Sequence, residues 1–260
     1  MNQFIRSGLI YGKTSIESLH SKHVCVFGVG GVGGILIESL IRTGIGEITI
    51  IDDDRVSLSN LNRQIVASLD TIGEYKVDVI TKRILSINKD LKVHSYKMFV
   101  LNDNIDLIDF SKFDYIVDAI DTVSAKIAII LKANKENIPI ISSMGTGNKI
   151  NPMGFKISDI YKTKVDPLCK VMRHELKKRN VKKLKVVYSE ENPLTPLYQK
   201  DFDYSGDSLI KEGERKGNKK KSTPGSNSFC PLAAGLLLAS EVIKDLTKDT
   251  FRIEEKIWFI

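Results

Sequence analysis

The chain has 260 residues, a length that suits one large α/β domain or a core with a smaller appended unit. Hydrophobic residues make up 42% and charged residues 27%, which predicts a packed core and excludes global disorder. The formal net charge of +7 leaves two interpretations open. It indicates either a surface for a polyanion such as nucleic acid or a lysine-rich composition that serves only solubility.

The first half of the chain alternates short apolar strands with helical patterns. Strands are predicted at 23–28, 48–52, 92–99, 115–120 and 139–144, and helices at 35–42, 76–87 and 124–137. The strands are rich in β-branched apolar residues, and strands and helices alternate. We therefore predict a Rossmann-like α/β fold, with a mostly parallel sheet covered by helices on both faces.

The pattern changes after about residue 151. The Asp-Pro pair at 166–167 is typical of a helix N-cap and first turn, and it predicts a basic helix that runs to Arg179. The remaining predicted elements are a strand at 186–191, a long polar loop at 200–228 and a final helix at 229–246. We divide the chain into a nucleotide-binding unit, 1–150, and a smaller C-terminal extension, 151–260, packed on the same core.

No membrane segment or secretion signal is predicted. The most apolar stretch, 230–243, contains Glu241 and is shorter than the roughly 20 residues of a membrane span, so it indicates a buried helix. Residues 1–11 lack the continuous apolar run of a signal peptide. We therefore expect a cytoplasmic protein that does not contact membranes.

A G-x-G-x-x-G motif joins the first predicted strand to the first predicted helix. Gly28 permits the tight turn, Gly30 and its neighbour Gly31 let the backbone approach a phosphate, and Gly33 lets helix and strand pack closely. The N–H groups and the positive dipole end of the helix then face the anion. Asp52 ends the second strand, where an acid binds ribose hydroxyls. The motif predicts nucleotide binding without distinguishing NAD from ATP.

The residues that follow the glycine motif favour ATP over NAD as the bound nucleotide. A triphosphate carries about four negative charges and therefore requires fixed cations and a metal ion. Arg63 and Lys76 can supply the cations. Asp121 ends a predicted parallel strand, where open α/β sheets bind ligands, and its carboxylate can hold Mg²⁺ through water.

A longer pattern connects these residues to a known family. It consists of the glycine loop, the run D-x-D-x-V-x-x-S-N-L-N-R-Q at 52–64, Lys76 and D-A-I-D-T at 118–122. This pattern resembles the adenylation domains of ubiquitin-activating enzymes and of bacterial relatives that adenylate sulfur-carrier proteins. The resemblance covers roughly residues 1–150.

The resemblance implies roles for individual residues. The loop glycines and Asp52 would bind the nucleotide, phosphate contacts would come from Asn60, Arg63 and Lys76, and Asp121 would serve Mg²⁺. The expected nucleotide-binding set also includes Asp54, Gln64 and Thr122. Arg6 is the candidate for an arginine that reaches into a partner subunit's site, which implies a homodimer.

Two segments in the second half of the chain resemble a narrower family. The segments K-T-K-V-D-P-L-C-K-V-M-R at 162–173 and T-P-G-S-N-S-F-C-P-L-A-A-G-L-L-L-A-S-E-V at 223–242 are similar to bacterial tRNA threonylcarbamoyladenosine dehydratases. Members of that family use ATP to cyclise the threonylcarbamoyl group on adenosine 37 of tRNA, through an acyl-adenylate and with loss of water. This likeness covers the whole chain and implies tRNA as the substrate.

Two other functions remain as alternatives. One is an adenylyltransferase that activates the C-terminus of a ubiquitin-like sulfur carrier, but the C-x-x-C zinc pairs usual in those relatives are missing here. The other is an NAD-binding or non-catalytic Rossmann protein, which Arg63, Lys76 and Asp121 disfavour. A sulfur-transfer partner is a further open alternative, and the sequence does not identify it.

Two basic segments are candidate tRNA surfaces, with a solvated charge run as the alternative. The first contains Lys170, Arg173, Lys177, Lys178, Arg179, Lys182, Lys183 and Lys185. The second contains Lys211, Arg215, Lys216 and Lys219 to Lys221.

None of the three cysteines lies in a C-x-x-C pair, which excludes a four-sulfur zinc site within the chain. Cys25 lies in an apolar strand and Cys169 on an apolar helix face, which favours packing roles for both. Cys230 precedes Pro231 at a predicted helix start, where a thiolate is favoured. It is the best candidate for a reactive thiol, although a structural role is favoured for it too.

Overall fold

The computed structural model describes residues 3–197 and 224–252. Its strands are β1 His23–Phe27, β2 Glu47–Ile51, β3 Lys92–Tyr96, β4 Tyr115–Asp118, β5 Ile140–Ser143, β6 Phe155–Asp159 and β7 Lys185–Ser189. They form one seven-stranded sheet in the order β3-β2-β1-β4-β5-β7-β6. Every neighbouring pair is parallel except β6 and β7. The predicted mostly parallel α/β sheet is confirmed.

Helices lie on both faces of this sheet. The described helices are α1 Ile5–Tyr11, α2 Lys13–Leu19, α3 Gly33–Thr43, α4 Lys76–Ile87, α5 Val123–Lys135, α6 Pro167–Lys178 and α7 Cys230–Thr247. Within β1, Val24 and Val26 pack with α3, α4 and α7, whereas Cys25 and Phe27 pack with α5 on the opposite face. Because both faces are covered, the strand is continuously apolar instead of alternating.

The last helix, α7, packs directly on α3. A Cβ atom at Gly235 would lie 2.5 Å from the Val32 carbonyl oxygen, so the two helices approach closely because position 235 carries no side chain. Lys185, at the start of β7, donates to Glu241 of α7 at 2.8 Å. Residues beyond 150 therefore extend the same sheet and cover the same core.

Three described elements lie outside the sequence prediction: α1, α2 and β6. The two helices are only seven residues each and meet at Gly12, whose φ is 90°, so neither gives a long periodic pattern. β6 is a five-residue edge strand with only one buried residue, Phe155. β3 ends at Tyr96 and not at 99.

The helix N-cap predicted at Asp166 is confirmed, because its carboxylate accepts from Cys169 N at 2.9 Å. Most of the loop predicted at 200–228, namely 200–223, lies outside the described residues. The boundary at residue 150 stays a prediction. In the described part of the chain, no helix combines the length and apolar character that crossing a bilayer requires.

Candidate active site

The glycine loop lies at the carboxyl ends of β1, β2 and β4. Gly28 has a φ of +95°, and a Cβ atom there would lie 2.8 Å from the Ala119 carbonyl oxygen. A Cβ atom at Gly33 would lie 1.8 Å from the Gly28 carbonyl oxygen, so the turn closes only with glycine. At Gly30 a Cβ atom would meet nothing within 4 Å. Open space above Gly30 gives an anion access to the backbone at the start of α3.

Asp52 is positioned by this loop. Its Oδ2 accepts from the backbone N–H of Val29 at 2.6 Å, and its Oδ1 accepts from that of Asp54 at 2.7 Å. Burial raises the pKa of Asp52 to about 6, and the charge of Lys76 opposes that rise. The carboxylate is thus fixed beside the glycine loop, which is the position expected of an acid that binds ribose.

Lys76 begins α4 and faces the same corner of the sheet. Only 5% of it is exposed, and its ammonium lies 2.9 Å from Asp54 Oδ2. The backbone N–H of Lys76 donates to the Asp54 carbonyl at 3.0 Å, which fixes the helix start against the end of β2. Lys76 therefore presents a fixed positive charge to the site, balanced by Asp54.

The segment between Asp54 and Lys76 brings Arg63 against the glycine loop. A Cβ atom at Gly31 would lie 3.6 Å from Arg63 Cγ. The guanidinium donates to the Ser59 carbonyl at 2.8 Å and to Asn62 Oδ1 at 2.9 Å. Weak, exposed contacts of this kind leave the guanidinium able to turn towards a phosphate.

Two amide side chains of this segment are buried. Asn60 Oδ1 accepts from the Ser57 N–H at 3.2 Å, so Asn60 closes the short turn Leu58–Asn60. Gln64 is only 7% exposed, and its amide oxygen accepts no hydrogen bond from the described residues. A buried acceptor without a partner is costly, and a ligand donor at that position would remove the cost.

Asp121 and Thr122 lie where β4 leads into α5. Asp121 is exposed, and the Thr122 hydroxyl lies 3.5 Å from its Oδ1. The Thr122 carbonyl accepts from the Lys126 N–H at 3.0 Å in the first turn of α5. Because Gly28 touches Ala119, the end of β4 is adjacent to the glycine loop. The carboxylate of Asp121 therefore lies at the same edge of the sheet as the glycine loop.

A buried charge pair supports this strand end. Lys126 and Asp118 have fully buried side chains, and the ammonium lies 2.9 Å from Asp118 Oδ2. Ser142 donates to the same carboxylate oxygen, and the Ile120 N–H donates to Asp118 Oδ1 at 3.3 Å. The sequence analysis missed this group. Its only signal is a lysine inside an otherwise apolar stretch of α5.

Residues 224–231 also contact the site. Asn62 donates to the Ser226 carbonyl at 3.0 Å, and Asn148 exchanges two hydrogen bonds with Gly225. Pro231 lies 3.0 Å from the Cβ position of Gly31. The sequence analysis did not anticipate that the segment before α7 joins the phosphate loop to the end of β5.

Arg6 lies apart from these residues within one chain. Phe4, near the start of α1, packs against Gly44, which follows α3 at the end opposite the glycine loop. The 11 residues of α3 span roughly 16 Å. The structure therefore does not bring Arg6 to the site of its own chain.

The first basic segment is only partly as predicted. Lys170, Lys177, Lys178, Arg179, Lys182 and Lys183 are exposed. Arg173 instead donates to the Thr163 carbonyl at 3.1 Å, and Lys185 pairs with Glu241 and Asp245. Internal acceptors engage the charged groups of these two residues, which disfavours them as tRNA contacts, and the surface as a whole stays a prediction. The second basic segment, 211–221, lies outside the described residues.

The cysteines are buried in the described structure. Burial raises the pKa of Cys25 well above its usual value and that of Cys169 to about 12. The expectation of a thiolate-favouring position for Cys230 is wrong, because burial raises its pKa as well. Packing roles fit all three thiols.

The model of the ThiF family matches residues 4–260. This chain belongs to the ThiF family. The tRNA threonylcarbamoyladenosine dehydratase of Bacillus subtilis (strain 168) is 40% identical over 250 residues, which are 96% of each chain. The resemblance found in the sequence is confirmed over nearly the whole length, including the half beyond residue 150.

Solved structures of a second relative have the same fold as this chain. The E. coli tRNA N6-threonylcarbamoyladenosine dehydratase, TcdA, in complex with ATP superposes with a TM-score of 0.80 at 31% identity, covering 95% of this chain and 94% of that one. The same enzyme in complex with AMP gives a TM-score of 0.81 at 30% identity, with the same coverage. The fold described above is therefore one on which a relative binds ATP and AMP.

Proposed function

We propose that this chain is an ATP-dependent tRNA threonylcarbamoyladenosine dehydratase acting on the modified adenosine at position 37. One observation carries the proposal: the likeness to the B. subtilis enzyme covers 96% of both chains at 40% identity. The nucleotide motif alone is shared with enzymes that activate carrier proteins. Similarity in the half beyond residue 150 separates the two functions.

The first step makes the threonyl carboxylate reactive. A carboxylate oxygen attacks the α-phosphorus of ATP, the bond to the bridging oxygen breaks, and pyrophosphate leaves. The product is an acyl-adenylate. The protein's contribution is to align the carboxylate with the α-phosphate and to stabilise phosphate charge, and no protein nucleophile is required.

The second step closes the ring. A nitrogen or oxygen of the neighbouring carbamoyl unit attacks the acyl carbon, the bond to AMP breaks, and one N–H proton of the carbamoyl unit is released in either case. One carboxylate oxygen leaves with AMP, so the nucleoside loses the elements of water. Because both groups belong to one substituent, holding it in a bent conformation supplies most of the proximity effect.

The described residues fit ATP. Open space above Gly30 admits phosphate, and the buried amide oxygen of Gln64 lacks a donor among the described residues. We assign the ribose to Asp52 and the phosphate charges to Arg63 and Lys76, with Asn60 on the same segment. Asp54 contacts Lys76, and Thr122 contacts Asp121. We therefore include Asp54 and Thr122 in the nucleotide-binding set.

We assign Mg²⁺ to Asp121, whose exposed carboxylate at the strand end has the oxygen chemistry that this ion prefers. When bound, the ion neutralises phosphate charge. We further propose a cytoplasmic homodimer in which Arg6 completes the partner's site. Helix α1 supports this, because it has no buried residue and exposes Ile5, Leu9 and Ile10. A sulfur-transfer partner remains a separate proposal without a structural argument.

The test compares substrates for one purified protein. Pyrophosphate release is measured with tRNA carrying threonylcarbamoyladenosine, with the same tRNA lacking the modification, and with a carrier protein ending in Gly-Gly. We expect release only with the modified tRNA. Release with the carrier alone would replace the proposal with the adenylyltransferase function.

A further inference from the structure

Two of the chain's four histidines lie together at the end of the sheet opposite the nucleotide site. His23 begins β1 and is in register with Glu47 at the start of β2, and Thr49 is in register with His94 of β3. Residues in register, and residues two apart along a strand, point to the same face of a parallel sheet. Three adjacent strands therefore direct His23, Glu47, Thr49 and His94 to one face.

The three potential ligand atoms are close together. Glu47 Oε1 lies 3.4 Å from His23 Nδ1 and 2.9 Å from His94 Nε2. One ligand atom from each of the three residues lies within 4.8 Å of the others. Tetrahedral zinc with bonds of about 2.0–2.2 Å separates its ligand atoms by about 3.3 Å. Small side-chain rotations suffice to reach that geometry, and His94 is free to make them because its side chain is 46% exposed.

The surroundings prepare His23 for binding metal. Its Nε2 lies 2.9 Å from the Thr49 hydroxyl oxygen, and Thr49 is buried. Metal-bound imidazoles typically use their other nitrogen in such a bond, which fixes the ring and the tautomer.

The charged neighbours of Glu47 leave its Oε1 directed at the two histidines. Lys92 is 3.8 Å from Glu47 Oε2, the oxygen that faces away from the histidines, and its side chain is 75% exposed. Asp114 lies near His23 and pairs with Lys22 at 3.0 Å. Glu47 Oε1 is then the carboxylate oxygen that faces both histidines, where its negative charge would attract a cation.

We propose that His23, Glu47 and His94 form a binding site for Zn²⁺ or a similar divalent transition metal, with water as a further ligand. Two imidazoles and a carboxylate are a ligand set that zinc uses. The site joins β1 and β2 to β3, an edge strand of which no residue is buried. Glu47 is five residues from Asp52 along the chain, roughly 17 Å, so the metal stabilises the sheet edge and takes no part in adenylation.

The test uses tag-free protein, stripped with chelator and titrated with ZnCl₂ in the absence of nucleotide. We expect one zinc equivalent per chain and a rise in melting temperature, because a ligand of the native state alone stabilises it. Glu47→Gln and His94→Gln should weaken binding at least tenfold. Thr49→Val, which removes only the bond that orients His23, should weaken it about 10- to 100-fold.

Two controls separate this site from other metal sites. His174→Gln changes a histidine 4.0 Å from Glu175 on the surface of α6 and should bind zinc as the parent does. Asp121→Asn should also leave this zinc equivalent in place. Equal zinc affinity in the parent, Glu47→Gln and His94→Gln would overturn the proposal, as would no binding by the parent.

Two further measurements detect metal binding at this site even where a substitution lowers the stability of the protein. Co²⁺ in place of zinc should give visible d–d bands of a low-symmetry site in the parent and not in His94→Gln. Hydrogen exchange of the β3 amides should slow on zinc addition in the parent only. Zinc binding without any protection of β3 would place the metal elsewhere and contradict the proposal.

Discussion

The Val29 backbone N–H donates to Asp52 Oδ2 at 2.6 Å, which joins the glycine loop to the end of β2. This bond connects the two halves of the predicted nucleotide motif, one for phosphate and one for ribose. It also leads to a pH prediction, because the half-buried carboxylate has a raised pKa.

ATP affinity should fall as the pH drops through about 6. Burial raises the pKa of Asp52 to about 6 from 3.8, so the proposed ribose-binding carboxylate is ionised above that pH and protonated below it. Calorimetric titrations between pH 5 and 8 measure the effect. Asp52→Asn should bind weakly and lose this pH dependence, while the titration of ATP itself remains common to both proteins. Parallel pH profiles for the two proteins would contradict the role of Asp52.

Arg63→Ala and Asp121→Asn should each abolish measurable turnover and leave the fold intact. Loss of one phosphate or metal contact in the transition state costs on the order of 2–4 kcal/mol. Steady-state AMP formation and circular dichroism check this. Arg55→Ala is the matched control, since Arg55 stacks 3.7 Å from the centre of the Tyr75 ring and donates to the Gly73 carbonyl. Near-normal AMP formation by Arg63→Ala would refute its assignment.

Lys126→Met should destabilise the protein by about 3–5 kcal/mol, because it leaves the buried carboxylate of Asp118 without its cation. Urea unfolding measures the loss. The double variant Lys126→Met with Asp118→Asn should recover a large part of it, since no buried charge remains. A Lys126→Met protein as stable as the parent would mean that Ser142 and water suffice for Asp118.

An active site that combines residues from two subunits predicts that two inactive variants regain activity when they are mixed. Arg6→Ala and Asp121→Asn proteins should each be inactive alone. A mixture that exchanges subunits should regain activity, because one site of the mixed dimer combines an intact Asp121 with Arg6 of the partner subunit. Sedimentation measures the dimer in parallel. A fully active monomer, or a mixture without regained activity, would end the idea of Arg6 acting across an interface.

Substituting Lys177, Lys178 and Arg179 together by Gln should weaken tRNA binding and flatten its salt dependence. Each lost phosphate contact reduces the log–log slope by about 0.7–0.9. ATP affinity should stay unchanged. The control replaces Lys13, Lys82 and Lys89, which are exposed elsewhere on the molecule. Lys178 and Arg179 already share Glu175 at 3.1 and 2.7 Å, so equal slopes for parent and variant would identify this helix as a solvated face.

The parts of the fold that depend on local patterns were predictable. Helix α4 begins and ends at the predicted residues, Lys76 and Ile87, because its apolar spacing is regular. The glycine motif predicted the loop, because the loop conformation requires residues without a Cβ atom at Gly28 and Gly33.

Contacts between distant residues were not predictable in this way. The bond from Asn62 to Ser226 joins positions 164 apart, and the buried group around Asp118 combines residues from β4, α5 and β5. No local pattern carries such pairings, since they depend on how the strands are ordered in the sheet. Burial likewise opposes the thiolate that the place of Cys230 at a helix start suggested, and it agrees with the structural role favoured for this residue.

The most direct test of the acyl-adenylate route is an oxygen-labelling experiment. Modified tRNA with ¹⁸O in the threonyl carboxylate is incubated with the protein and ATP, and nucleosides and nucleotides are analysed by mass spectrometry. The account predicts a nucleoside lighter by one labelled water and one ¹⁸O atom in each AMP released. An unchanged nucleoside, or ADP and labelled inorganic phosphate in place of labelled AMP, would contradict it.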